Sequence, residues 1–101
     1  MKQGMKREDF IFTVGYSGMT AVVDSGGKKR FGKLSPEQLL EKGMYRSAFA
    51  AAVYDDDAEE LQRFVGAFRQ KTAIEVESVE QVKRLFGVYK VPKDINRVIF
   101  V

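Results

Sequence analysis

FIFTVGYSGMTAVVD, residues 10–24, is the stretch on which the reading of this chain turns. Phe10, Phe12, Val14 and Tyr16 alternate, so a strand over 10–16 places them on one face. Met19, Ala21 and Val23 alternate in the same way beyond Ser17-Gly18. A two-residue loop at Ser17-Gly18 sets Tyr16 against Met19, Val14 against Ala21 and Phe12 against Val23. Every pair matches apolar with apolar, and that agreement between loop length and register predicts a β-hairpin.

The same stretch contains Gly15-Tyr16-Ser17-Gly18, most of the G-x-S-x-G turn that exposes a catalytic serine. The match fails on three counts. Met19 stands where the second glycine belongs, a strand follows where the elbow requires a helix, and the chain has no histidine to act as base. No lysine is nominated by spacing as an alternative base. Ser17 reads as a turn residue.

Working outward, Asp24-Ser25-Gly26-Gly27 predicts the next turn, and Lys28–Lys33 a short third strand whose lysines discourage unwanted edge pairing. Ser35-Pro36-Glu37-Gln38 is a helix start with a capping box and proline at the first helical position. Gly43 ends that helix. Residues 44–54 predict a second helix, apolar nearly all round and therefore buried. Asp57-Ala58-Glu59-Glu60 opens a third, with Leu61, Phe64, Val65 and Phe68 at helical spacing. Residues 72–77 predict a strand. Ser78 caps a fourth helix carrying Val79, Val82, Leu85 and Phe86 and closed by Gly87. Residues 97–101 predict a final strand, either paired or an open edge able to recruit a partner strand.

The expected fold is α+β: an N-terminal β-hairpin with an optional third strand, three central helices, then β-α-β. Its sheet is small, mainly antiparallel and packed on helices. The segment 72–101 also allows a parallel pair. Length and composition fit one domain, placed at 9–101 behind a loose tail at 1–8. With 45% apolar residues and eight phenylalanines the chain can build a core unaided.

Cysteine and histidine are both absent, which excludes zinc fingers, thiol chemistry and imidazole bases. No cofactor or metal is indicated. There is no apolar run of about 18 residues to cross a membrane, and the charged start Met1–Asp9 lacks a signal-peptide core. The expectation is a soluble cytoplasmic protein. Net charge is only +3, but residues 1–33 hold seven basic against three acidic groups, 34–67 three against seven, and 68–101 seven against four.

Three patterns are candidates for function. Lys28, Lys29, Arg30 and Lys33, with Phe31 as a stacking group, form a basic segment able to contact nucleic acid. The glycines before it resemble a phosphate cradle, but the P-loop spacing is not met. The acidic run 55–60 lacks EF-hand spacing, and its residue types also suit a helix N-terminus. Tyr45, Phe49, Ala50, Ala51 and Tyr54 line a helix that is either core or a dimer contact. On these grounds the expected function is a non-catalytic protein-interaction or adaptor module, its partner another protein or a second copy in a homodimer. The alternatives are a nucleic-acid-binding module using 28–33 and an enzyme using carboxylate or lysine chemistry.

Overall fold

A computed structural model describes residues 5–101. The element order is α1 (Arg7–Ile11), β1 (Thr13–Ser17), β2 (Thr20–Val23), α2 (Ser25–Phe31), α3 (Pro36–Glu41), α4 (Tyr45–Asp55), α5 (Ala58–Thr72), α6 (Val79–Phe86) and β3 (Arg97–Phe100). The fold is α+β, with a hairpin first, helices through the middle and a strand last.

The chain enters differently from the strand expected at 10–16. Phe10, Ile11 and Phe12 are all buried, which a strand with one solvent face cannot achieve. A short helical turn inserts all three, with Glu8 and Asp9 complementing its N-terminal dipole. Of the tail placed at 1–8, residues 1–4 lie outside the described residues. Met5 is buried and Arg7 opens α1, so the ordered fold begins before residue 9.

The hairpin forms, but its turn lies one residue further along, so Tyr16 faces Ala21 rather than Met19. Ser17 pairs with Thr20, Tyr16 with Ala21 and Gly15 with Val22; a bulge at Val14 then brings Thr13 opposite Val23. The turn is therefore Gly18-Met19. Gly18 has φ +60° and Met19 is not among the positive-φ residues, the pattern of a type II′ turn with glycine first. Closure at Ser17-Gly18 would place serine at that first position. Turn chirality outweighs the apolar pairing: Val14, Tyr16 and Met19 are exposed, Val14 to 63%, while Thr13, Ala21 and Val23 face the core.

The third strand expected at 28–33 is helix α2. Asp24 caps it, accepting from Gly27 N at 3.2 Å. The strand expected at 72–77 is also absent. α5 continues to Thr72, whose Oγ1 donates to Phe68 O and accepts from Ile74 N, and Ala73 closes the helix at φ +61°. The sheet is mixed rather than mainly antiparallel. Its order is β1-β2-β3, with β2 antiparallel to β1 and parallel to β3. The parallel partner of β3 is thus the hairpin, not a strand in 72–77.

The other helices follow their caps. Ser35 and Gln38 make the reciprocal capping box of α3. Asp57 caps α5, and Ser78 caps α6. Helix α4 runs through the core and packs against α1, α3 and α5. Phe49 stands at its centre, with ring centroids 5.2 Å from Phe64 and 5.9 Å from Phe86. Phe68 stacks on Phe64, and Tyr45 meets Phe68 edge-on. No helix among the described residues is long and apolar enough to cross a membrane.

Candidate functional site

Helix α2 carries its cations in the last turn, where they complement the negative end of the dipole. Winding 28–33 into a helix and its exit gathers Lys28, Lys29, Arg30 and Lys33 around one groove of about 620 Å³. A straight strand would have divided them between two faces. The basic segment expected from the sequence is thus brought together, on a different element.

The fifth expected residue is not there. Phe31 is half-buried and packs on the core. Its place in the groove is taken by Phe100, 50% exposed, at the end of β3. Two hydrogen bonds hold it close to α2: Ser25 N and Ser25 Oγ both donate to Val101 O, at 3.1 and 2.8 Å. Lys28 Nζ lies 4.5 Å from the Phe100 ring centroid, a cation–π distance.

The four cations are not equally free. Lys28 Nζ is 2.7 Å from Oδ1 of the buried Asp9. That oxygen makes no angularly satisfactory hydrogen bond, so the contact is ionic rather than directed, and Lys28 neutralises Asp9. Lys33 reaches Glu8 at 3.8 Å with its side chain almost fully exposed, a weak tie in water. Lys29 and Arg30 are exposed and form no ion pair among the described residues. Four cations against Glu8 and Asp9 leave the groove positive. Such a groove can hold a polyanion backbone on Lys29 and Arg30 and present a ring face to a base.

The helix stripe is core. Phe49, Ala50 and Ala51 are buried, Tyr45 lies against Phe68, and the Tyr54 hydroxyl donates to Met5 O. Helices α1 and α5 pack on this helix, and of the five residues only Tyr45 and Tyr54 keep part of their surface in solvent. The acidic run is divided among structural tasks. Asp55 accepts from Arg7, Asp56 closes α4 in the left-handed region, and Asp57 caps α5. Ser17 is exposed at the hairpin end, opposite Thr20.

The sequence reading missed Phe100 in the groove and Asp9 buried behind it as the partner of Lys28. Asp9 lies in a charged run that resembles solvated surface, and only its burial marks it. Phe100 is remote in sequence from α2 and arrives through the parallel pairing of β3. No protein-family model matches this chain, and neither a curated protein nor a solved structure shows significant similarity to it.

Proposed function

We propose that this domain is a non-catalytic binding module that takes single-stranded nucleic acid in the α2 groove. The observation that carries this reading is the open pair Lys29 and Arg30 beside the half-exposed ring of Phe100. Cations tracking phosphates and a ring stacking on a base form the sequence-tolerant mode of single-strand recognition. Fluorescence anisotropy of a labelled oligothymidylate, titrated across a salt series, tests it. Log affinity falls with log salt by about 0.7 per phosphate contact. Replacing Lys29 and Arg30 by Gln flattens that slope by about 0.7 per cation. Phe100→Ala weakens binding by about 1–3 kcal/mol. Absence of binding at low salt overturns the reading.

A second reading, protein contact, is favoured by the sheet. Among the described residues β3 pairs only with β2, so its outer edge is open to strand addition, and Ile99 is exposed on that strand. Light scattering on a concentrated sample checks the homodimer form of this reading, and a monomer at all concentrations removes it.

A further inference from the structure

A second cleft, of about 700 Å³, lies between β1, α4 and the 87–94 segment, within the range of small-molecule sites. Val88, Val91 and Pro92 supply apolar wall, and Tyr16 stands on the β1 side. Arg46 is the charged group that α4 presents to it.

The setting of Arg46 is unusual. Its Nε donates to Phe86 O at 3.3 Å and its Nη1 to Thr13 O at 3.1 Å. These two main-chain carbonyls, from the end of α6 and the start of β1, hold the guanidinium in place without neutralising it. No carboxylate pairs with it among the described residues. Among the described residues, three of its five N–H donors make no hydrogen bond. Lys90 and Lys93 add positive charge to the lining and Asp94 removes one. The charge of Arg46 is felt inside: burial pushes the Tyr16 hydroxyl up, and Thr13 and the Arg46 cation pull it back. Tying β1 to α6 accounts for two of the donors. It does not account for a tethered cation without a paired carboxylate facing a cleft with one apolar wall.

We infer that this cleft binds a small organic anion, an oxyanion head on an apolar or aromatic body, with Arg46 gripping the head. Guanidinium geometry suits carboxylate and phosphate alike, and the apolar wall takes the body. The site is independent of the α2 groove.

The test is amide NMR of the labelled protein titrated with benzoate, phenyl phosphate and, as neutral control, benzyl alcohol. Saturable shifts at Tyr16 and Gly87–Asp94 are expected with at least one anion, and the preferred anion identifies the head group. Arg46→Lys keeps the charge, loses the fork and weakens binding about tenfold. Because Arg46 also supports Thr13 and Phe86, a Lys90→Gln, Lys93→Gln double variant provides a second readout at exposed positions, expected to weaken binding several-fold. The inference is overturned if neither anion saturates a site at a Kd of about 1 mM or tighter, or if benzyl alcohol binds equally well. Shifts confined to Ser25–Lys33, or affinity unchanged in both variants, also overturn it.

Discussion

Arg7 grips Asp55 through two parallel hydrogen bonds, Nε to Oδ1 at 2.9 Å and Nη2 to Oδ2 at 3.0 Å. The pair joins α1 to the last residue of α4 across most of half the chain. Its hydrogen bond to Asp55 is the main reason the Arg7 guanidinium is held above its ordinary range. Both side chains are about one third exposed, so solvent screens the charge but not the fork geometry. Arg7→Lys and Asp55→Asn should each cost about 1 kcal/mol in urea unfolding. A double-mutant cycle with no coupling between the two would show that the pair is ornamental.

Gly26 and Gly27 are neighbours in α2 with opposite demands. A Cβ on Gly27 would come within 2.7 Å of the Phe12 ring and 2.8 Å of Asp24 Oδ2, whereas one on Gly26 meets Asp24 Oδ1 at an ordinary 3.5 Å. Gly27→Ala should destabilise by about 2 kcal/mol through overpacking. Gly26→Ala should stabilise by about 0.5 kcal/mol through helix propensity. Thermal melts of the two variants decide the matter, and equal melting temperatures would refute it.

Phe49 is fully buried among Phe64, Phe68 and Phe86. Phe49→Ala should cost about 4 kcal/mol. That is a large part of the roughly 5–15 kcal/mol that holds a domain together. Phe49→Leu, which keeps more of the volume, should cost about 1 kcal/mol. Guanidinium unfolding midpoints measure both, and a mild alanine variant would mean the ring cluster contributes little.

Glu60 is held above the usual carboxylate range, chiefly by burial and then by Asp55 and Asp57, with Arg63 and Arg7 opposing. A carboxyl whose folded pKa exceeds its unfolded value binds its proton more tightly when folded. It therefore costs stability at neutral pH, and acidification through the raised pKa relieves that cost. Relative to Glu60→Gln, the natural protein should gain a little stability as pH falls from 7 to 4, the gain kept small because solvent screens this site. Parallel stability curves for the two proteins would contradict this.

Local chemistry was the legible part of the fold. Ser35 and Gln38 are three residues apart, and their mutual capping needs nothing from the rest of the chain. Ser78 with Gly87 bounds α6 in the same way. What escaped the sequence depends on distant partners. Two glycines after Asp24 read as a turn, yet Phe12 rests against Gly27 and the segment is helical. Apolar pairing alone put the hairpin turn one residue out, because it ignored which turn position tolerates a positive φ. Thr72–Glu77 has strand-like composition, but α5 runs on through Thr72 and Ala73 closes it in the left-handed region, so no strand starts there.

The candidate groove divides on the same line. Lys28, Lys29, Arg30 and Lys33 are contiguous enough to be seen in the sequence. The ring beside them is not, since Phe100 reaches α2 only by way of the β2–β3 pairing.

That pairing couples residues 77 positions apart, Thr20 with Arg97 through Val23 with Phe100, while α3, α4 and α5 each dock on the next helix in the chain. Closing so long a loop costs entropy before any contact repays it. The helical layer and the hairpin should therefore assemble first, with β3 joining after the rate-limiting barrier. Val98→Ala should then speed unfolding while leaving the refolding rate almost unchanged, and stopped-flow chevrons read both limbs. The last strand acts as a latch on an already assembled body, so the lifetime of the folded state is set at the far end of the sequence from where folding begins.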